Sequence, residues 1–385
     1  MESNIEPTIL SEFVDLRAKS ILSILAAKED GRKVVGMYCL YSPTEIVMAA
    51  GAIPIPLCGT KQDPIAVAEK VLPRNLCPLI KSSYGFAASG TCPFFNFTDL
   101  LIAETTCDGK KKMYELLSEL KPLHLLQLPQ TQDDQEALQY WYGEVVKMKE
   151  RLEVQFSVTI TDQDLNEAIQ RMNEERRSLK DLQDIAKLKP SPISGIDLLM
   201  ALYNRGFSID KKEVVRMVDR LTIELKELHR QGVTPFTTKT SRILLTGVPV
   251  GIGSHKVVQI IEESGGNVVC FESCGGYKAV YDQVDEEKEP LLAIAEKYLR
   301  TPCSCMSPNV GRFELVERLA REFNVDGIVD LTWQGCHTYN IESFSLKKYL
   351  QTKKSIPFLQ IETDYSESDV EQLKVRIEAF LEMIS

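Results

Sequence analysis

The most constraining feature of the sequence is an internal repeat, because a strand–helix–strand pattern in the first 130 residues returns after residue 241. In the first unit, the apolar segment 33–38 leads through a helical segment to a second apolar segment at 53–57. In the second unit, the apolar segment 242–247 leads through a helix at 256–262 to a strand that precedes Cys274. Since alternating strands and helices build parallel sheets, the repeat predicts two Rossmann-like domains.

Cysteines occupy corresponding loops in the two units. The matching positions are Cys58 with Cys274, Cys77 with Cys303 and Cys305, and Cys107 with Cys336. Cys107 follows the apolar run 100–103, and the chain restarts as a helix at Asp108. A strand that ends at a cysteine presents its thiolate at the carboxyl edge of the sheet, where open α/β folds hold their ligands. We therefore expect a metal cluster at this edge.

The remaining segments complete an α/β fold class with two pseudo-repeated parallel-sheet domains, a helical insertion between them, and N- and C-terminal helices. Residues 131–240 are charged, rich in glutamine and helical in pattern, which predicts a connector between domains at 1–130 and 241–385. Its charges are expected to solvate helix faces rather than to serve catalysis. An amphipathic helix at 8–30 opens the chain, and a strand at 357–365 followed by a helix closes it.

Composition narrows the function classes. A net charge of −10 and a pI near 5.2 disfavour a phosphate-backbone partner, so no nucleic acid is expected. Residues 1–6 lack the basic and apolar regions of a secretory signal, and the apolar run 46–58 is too short to span a bilayer. These features predict a cytoplasmic protein without a membrane partner. Structural disulfides are rare there, so the 10 cysteines point to metal ligation.

The residues alone leave the type of metal site open. The thiols expected to converge are Cys77, Cys92 and Cys107 from the first unit and Cys274, Cys303, Cys305 and Cys336 from the second. Iron–sulfur clusters take thiolates from scattered loops, whereas zinc needs only four ligands and usually takes them from close pairs. Structural zinc and inert buried thiols remain alternatives. Cys39, Cys58 and Cys270 adjoin apolar strands, so we expect them to be packing residues.

Several other residues are weaker candidates. Ser42, Pro43 and Glu45 form the pattern of a capping box, so Glu45 is first a cap and only second an acid. His337, beside a cysteine, is a candidate proton donor or an ordinary backbone-bonded histidine. The glycine-rich loop 247–256 does not have the spacing of a phosphate-binding loop. It predicts a strand-to-helix turn rather than an ATP site.

The resemblance of this chain to a known family rests on four sequence motifs. They are Cys77-Pro78, Glu104-Thr105-Thr106-Cys107-Asp108-Gly109-Lys110-Lys111, Gln334-Gly335-Cys336-His337 and Glu362-Thr363-Asp364-Tyr365. The chain resembles, over nearly its whole length, the 2-hydroxyacyl-CoA dehydratase component D family, which includes benzoyl-CoA reductase subunits and double-cubane cluster proteins. Dehydratase subunits of this family hold one [4Fe-4S] cubane on three cysteines, which match Cys77, Cys107 and Cys336 here.

The sequence departs from the dehydratase pattern in its second half, through Cys274, Cys303 and Cys305. These extra cysteines resemble the double-cubane branch, whose proteins hold an [8Fe-9S] cluster on six cysteines. The resemblance implies that the three residues cap a second cubane, with Cys92 as the substitute for one of them.

The resemblance also implies a reaction and a partner. An ATP-hydrolysing reductase with its own [4Fe-4S] cluster is expected to dock and deliver single electrons to a homodimer. Lys110, Lys111 and Lys112 are a candidate contact for it, or else solvated helix residues. The homodimer would reduce a small-molecule substrate, with His337 and Glu45 as candidate proton donors. The alternative function is a radical 2-hydroxyacyl-CoA dehydratase subunit with a single [4Fe-4S] cluster.

Overall fold

The computed structural model describes residues 9–353 and 356–385 and contains two four-stranded parallel sheets. The strands are β1 (Val34–Met37), β2 (Ile53–Pro56), β3 (Leu100–Glu104), β4 (Leu123–Leu126), β5 (Ser241–Gly247), β6 (Gly266–Phe271), β7 (Gly327–Trp333) and β8 (Phe358–Thr363). The first sheet has the order β2-β1-β3-β4 and the second has the order β6-β5-β7-β8. Because the two orders are equivalent, the predicted pair of Rossmann-like units is confirmed.

Fifteen α-helices surround these sheets in the described part of the chain. They are α1 (Leu10–Glu29), α2 (Thr44–Ala49), α3 (Ile65–Ala68), α4 (Pro78–Ser89), α5 (Pro93–Phe97), α6 (Asp108–Ser118), α7 (Gln135–Phe156), α8 (Asp162–Asp184), α9 (Gly195–Asn204), α10 (Lys211–Arg230), α11 (Lys256–Glu263), α12 (Pro290–Leu299), α13 (Val310–Glu322), α14 (His337–Lys353) and α15 (Val370–Ile384). None of the helices in the described ranges combines the length and apolar character that crossing a membrane requires.

The central strands are buried along their whole length. Every residue of β1 and β3 in the first sheet, and of β5 and β7 in the second, is buried. The edge strands β2, β4 and β8 are partly exposed. Continuous apolar runs are typical of parallel strands that helices cover on both faces, which is why the sequence revealed these strands.

The connector is helical as predicted and comprises α7 to α10. The prediction that its charges only solvate helix faces is wrong for α8, which buries Glu175 and Arg176 together with the polar Asn173. Helix α7 buries Trp141 in a core that also contains side chains from the first sheet and α12. The other core cluster takes side chains from both sheets. The division at residues 130 and 240 stays a prediction, and both positions fall in loops outside the helices and strands.

Local details at three helix starts differ from the predictions. Helix α2 begins at Thr44 after Pro43 without a side-chain cap, so the predicted capping box is wrong. The sequence predicts Ser366 or Ser368 as the cap of the last helix, but helix α15 begins after Asp369 instead. The predicted first helix begins at Leu10, and the segment 1–6 used to judge a secretory signal lies outside the described residues. The loop between β5 and α11 is the expected strand-to-helix connection.

Candidate functional site

A single cavity of about 770 Å³ lies at the carboxyl ends of both sheets. In the first half its wall includes residues that follow β1, β2, β3 and β4, and in the second half residues that follow β5, β6 and β7. In each sheet the strand order changes direction between the two central strands: the chain adds one strand on one side of the first central strand and then continues on the other side. Ligands of open parallel sheets bind at such switch points, and here the two switch points share one cavity.

Eight of the ten cysteines line this cavity. They are Cys39, Cys58, Cys77, Cys107, Cys274, Cys303, Cys305 and Cys336, and none of them forms a disulfide. The six predicted ligands therefore all reach the same cavity, with contributions from both halves of the repeat. Most of these cysteines fall into two groups, and within each group the thiols are close enough to affect one another's pKa.

The first group comprises Cys77, Cys107 and Cys336. Cys77 and Cys107 immediately precede α4 and α6, and Cys336 immediately precedes α14. The positive ends of three helix dipoles are thus next to the thiols, where they favour negative charge. Burial, and next the neighbouring Cys336, raises the pKa of Cys77 to about 12. Burial likewise raises the pKa of Cys336 to about 11.

A glycine brings two turns of this first group together. Gly335 has φ +76°, and a Cβ atom on it would lie 2.6 Å from the Asn75 carbonyl oxygen and 3.1 Å from the Cys77 nitrogen. The turn before Cys336 therefore lies against the backbone that leads into Cys77. The absence of a side chain at residue 335 permits this contact between the two halves.

The second group comprises Cys39, Cys274, Cys303 and Cys305. The adjacent Cys305 side chain lowers the pKa of the Cys303 thiol, and the Cys305 thiol donates to the Tyr41 hydroxyl at 3.8 Å. Burial raises the pKa of Cys274 to about 12 even though the Lys278 ammonium opposes it. Burial also raises the pKa of Cys39, which is close enough to be affected by Cys274 and Cys303.

The placement of Cys39 changes the predicted ligand set. The sequence predicts a packing role for Cys39, but this residue lines the cavity within the second group. Cys92, the predicted substitute ligand, precedes α5 and is not part of the cavity wall. Cys58 lines the cavity but donates its thiol proton to the Tyr38 carbonyl at 2.9 Å, as suits a packing residue. Cys270 is buried in β6, as predicted.

A buried ionic network lies beside the second group. Tyr339 Oη is 3.9 Å from the Cys303 sulfur and accepts a hydrogen bond of 3.0 Å from Lys278. Lys278 also pairs at 3.0 Å with Glu272, and both side chains are fully buried. The network continues to Arg312, which pairs with Glu272 and Asp330. Fixed positive charge is therefore available close to these thiols.

The two predicted proton donors lie in different surroundings. His337 starts α14 and is exposed where it lines the cavity. Glu45 is fully buried, does not line the cavity, and bonds Arg176 at 2.5 Å and Tyr298 at 2.7 Å. Burial opposes ionisation of Glu45, but the Arg176 charge outweighs it and lowers the pKa of this carboxyl. The structure thus places Glu45 as an ionised partner of Arg176, which does not favour an acid role.

The three successive lysines do not form one surface patch. Lys110 is buried and donates to the Tyr38 carbonyl at 3.1 Å. Lys111 and Lys112 pair with Asp108 and Glu115 on their own helix. Lys110 consequently cannot contact a partner, and only Lys111 and Lys112 remain available at the surface.

Sequence reasoning missed a charged wall that the connector contributes. Glu175, Arg176, Arg205 and Lys211 all line the cavity. Arg205 and Lys211 share Glu175, at 2.9 Å and 3.6 Å. A signal for this wall was present, because residues 175 and 176 fall in the helical stripe formed by Leu165, Ile169, Met172, Leu179 and Leu182.

Sequence reasoning also assigned no role to Glu104, the last residue of β3. Its carboxyl group is fully buried, and neither oxygen has a hydrogen-bond partner among the described residues. Burial raises the pKa of Glu104 to about 8, against the opposing effect of Lys110. Glu104 is therefore a buried acid that is largely protonated at neutral pH, close to Cys39 and Cys58.

The donor set fits an iron–sulfur cluster better than a single ion. Within residues 9–353 and 356–385, no three His, Cys, Asp or Glu side chains are grouped closely enough to hold one metal ion. A zinc ion needs such a group, whereas a cluster distributes its thiolate ligands over several irons. The thiols available for such a cluster all line one cavity: Cys77, Cys107, Cys336, Cys274, Cys303, Cys305 and Cys39.

Comparisons with known proteins place the chain among related proteins over nearly its whole length. The family model described as 2-hydroxyglutaryl-CoA dehydratase, D-component, matches residues 39–384. A protein of Escherichia coli strain K12 named "Putative dehydratase subunit YjiM" is 43% identical, over 98% of each chain. The (R)-phenyllactyl-CoA dehydratase beta subunit of Clostridium sporogenes is 24% identical, over 93% of each chain. A benzoyl-CoA reductase subunit of Thauera aromatica is 23% identical, over 100% of this chain and 97% of its own.

Proposed function

Because this chain belongs to the 2-hydroxyglutaryl-CoA dehydratase D-component family, we propose that it is the electron-accepting component of a low-potential iron–sulfur reductase. In this proposal it binds a double-cubane [8Fe-9S] cluster and reduces a small molecule. The family is one of dehydratases and reductases, so the chain is a component of an enzyme. The observation that carries the proposal is the convergence of eight cysteines on one cavity.

Two triplets of thiols would hold the cluster. Cys77, Cys107 and Cys336 would bind one cubane, and Cys274, Cys303 and Cys305 would bind the other, with Cys39 as a further ligand candidate. When bound, such a cluster supplies low-potential electrons. The free thiols of Cys77, Cys274 and Cys336 have raised pKa values, so positively charged iron would be needed to hold them as thiolates.

The surrounding residues would stabilise the charge of this site and deliver protons. The N-termini of α4, α6 and α14 point toward the first triplet and favour an anionic group there. Lys278 and Tyr339 supply positive charge and a hydroxyl beside Cys303. His337 lines the cavity and would be the proton donor there. Glu104, like Glu45, does not line the cavity, but it is a buried protonated acid near Cys39 and Cys58 and would supply a proton from behind these thiols.

We also propose two kinds of partner. An ATP-hydrolysing reductase with its own [4Fe-4S] cluster would deliver single electrons, as is expected from the resemblance to double-cubane proteins. The active assembly would be a homodimer. Because relatives are named as single subunits of a dehydratase and of a reductase, a complex with a second, different family subunit is the competing assembly. The mass of the purified complex distinguishes the two.

The second candidate function is a dehydratase subunit with a single [4Fe-4S] cluster. It is favoured by the first triplet, which is complete without the second group, and by a relative that is named as a dehydratase subunit. In that case Cys274, Cys303 and Cys305 would remain free thiols. The protein would then act on an acyl-CoA through one-electron reduction and loss of water.

Iron and acid-labile sulfide per chain distinguish the two functions. After anaerobic purification we expect about eight irons per chain for the double cubane and about four for the dehydratase subunit. Electron paramagnetic resonance of the reduced protein identifies the cluster type. A protein without iron would refute both.

Serine substitutions then test the ligand set. We expect Cys107→Ser to lose at least half of the iron, and Cys39→Ser to show whether Cys39 is a ligand. Cys92→Ser is the matched control, because Cys92 lies outside the cavity wall. Full iron in Cys107→Ser would contradict the assigned site.

A further inference from the structure

Lys297 is a buried lysine at the cavity whose ammonium group has no hydrogen-bond or ion-pair partner among the described residues. It lies in α12, is 4% exposed and lines the cavity. Within the described ranges its ammonium group forms neither a hydrogen bond nor an ion pair, and its contact is the Tyr298 ring at 4.0 Å from the centroid. The Arg176 guanidinium lies 6.0 Å from the centroid of the same ring.

The other buried lysines in the described part of the chain all have a polar partner. Lys81, Lys211, Lys256 and Lys278 pair with carboxylates, and Lys110 donates to a carbonyl. A buried charge without a partner is costly, and native structures rarely leave such a group unsatisfied. Lys297 is therefore the buried lysine whose ammonium group lines the cavity without a hydrogen-bond or ion-pair partner from the described residues, so an anion in the cavity can reach it.

The nearby carboxylates do not satisfy Lys297. Both oxygens of Glu45 are engaged, one by Arg176 and the other by Tyr298. Asp282, the other carboxylate that acts on Lys297, pairs with Arg300 at 3.0 Å. Further along the wall, Glu175 is shared by Arg205 and Lys211. The described residues of this region thus have two buried carboxylates, Glu45 and Glu175, for four basic side chains: Arg176, Arg205, Lys211 and Lys297. Burial, and next the charge of Arg176, lowers the pKa of Lys297 to about 7. This region therefore has an excess of positive charge that an anion would neutralise.

The proposed cluster does not account for this excess charge. The cations that act on the thiols of Cys39, Cys274 and Cys303 are Lys110 and Lys278. The charged groups with the largest effects on the pKa of Lys297 are Arg176, Glu45, Asp282 and Arg300. The charged neighbours of Lys297 thus differ from those of the Cys39, Cys274 and Cys303 thiols.

We propose that Lys297 forms an anion subsite in which the carboxylate or phosphate oxygens of a small substrate bind, between α12 and the connector. The apolar side chains of Met172, Leu179 and Leu202 also line the cavity and would contact the remainder of such a molecule. A cavity of about 770 Å³ is in the range that holds one small ligand. This inference rests on the proposed function only in taking the anion to be part of the substrate.

Calorimetric titration of the anaerobically purified protein tests the subsite. The probes are acetate and malonate for a carboxylate, and inorganic phosphate for a phosphate group, all at pH 6.5. We expect Lys297→Gln to weaken binding by about tenfold or more, as is usual when a hydrogen bond to a charged group is lost. Lys297→Arg keeps the charge and should bind within a few-fold of the unsubstituted protein.

Lys288→Gln is the matched control, because Lys288 is an exposed lysine that pairs with Glu296. It should bind the probes as the unsubstituted protein does. Lys297→Gln strands no carboxylate, so the variant should fold, which circular dichroism checks. Binding of the acetate and malonate pair alone identifies a carboxylate substrate, and binding of phosphate alone identifies a phosphorylated one.

Two results would overturn the subsite: equal binding by Lys297→Gln and the unsubstituted protein, or no binding of any probe. Iron is measured in the same samples, which separates this inference from the proposed function. Iron-free protein that binds a probe through Lys297 refutes the reductase and leaves the subsite. Iron-replete protein that binds no probe refutes the subsite and leaves the reductase.

Discussion

Gly335 offers the sharpest test of the cavity, because it joins the two halves of the repeat at the first thiol group. In a Gly335→Ala variant the new methyl group would lie 2.6 Å from the Asn75 carbonyl oxygen and 3.1 Å from the Cys77 nitrogen. Both contacts are with backbone, so no flexible side chain can give way. The turn that carries Cys336 must therefore move away from the turn that carries Cys77.

The expected cost has two parts that a control separates. A non-glycine residue in the left-handed region costs about 1–2 kcal/mol, and forcing extra volume into a packed contact costs about 1–3 kcal/mol. Gly51→Ala is the matched control, because Gly51 has φ +70° and no atom within 4 Å of the added Cβ. Gly335→Ala should therefore be less stable than Gly51→Ala by about 1–3 kcal/mol.

The assays are urea unfolding and iron content after anaerobic purification. We expect Gly51→Ala to keep its iron and Gly335→Ala to lose most of it, because Cys77 and Cys336 are moved apart. If Gly335→Ala retains full iron and unfolds at the same urea concentration as Gly51→Ala, the two turns are not in contact. The assignment of Cys77 and Cys336 to one site would then be refuted.

Two further predictions concern the charged wall. Arg176→Met leaves the fully buried Glu45 carboxylate without its cation, so we expect a loss of about 3–5 kcal/mol in unfolding free energy. Arg177→Met, at an exposed neighbour, should have little effect, and Glu45→Gln/Arg176→Met should regain most of the loss. A small loss in Arg176→Met would contradict the buried pair. Because the pKa of Lys297 is lowered to about 7, its cationic form is lost above that pH. Acetate, which stays ionised throughout, should therefore bind about tenfold more weakly at pH 8 than at pH 6. Calorimetry measures this change, and pH-independent acetate binding would contradict the role of Lys297.

The sequence predicted the fold and the cysteine-lined edge for a physical reason. Fully buried parallel strands require continuous apolar runs, so β1, β3, β5 and β7 were visible as such runs. The side chains that follow a parallel strand must lie at the carboxyl edge of its sheet. This rule predicted the convergence of Cys107 and Cys336, which the cavity wall confirms.

The parts that could not be predicted depend on contacts between distant segments. Cys39 adjoins an apolar strand like Cys58, and only the folded chain shows that it meets Cys274 and Cys303. Glu45 matched a local capping pattern, but it pairs with Arg176, which lies 131 positions along the chain. Local sequence patterns contain no information about such partners, because tertiary contacts decide them.

The two parts of the cavity have different origins in the chain, and this difference has a functional consequence. The cavity thiols come from loops of the two duplicated units, either after a strand or, for Cys77, Cys303 and Cys305, between two helices, so the repeat itself brings them to one cavity. The charged and apolar wall around Lys297 comes largely from the connector, which the repeat does not contain. In the proposed function, the thiols contributed by the two sheets would hold the electron-accepting group, and the connector and α12 would determine which small molecule is accepted.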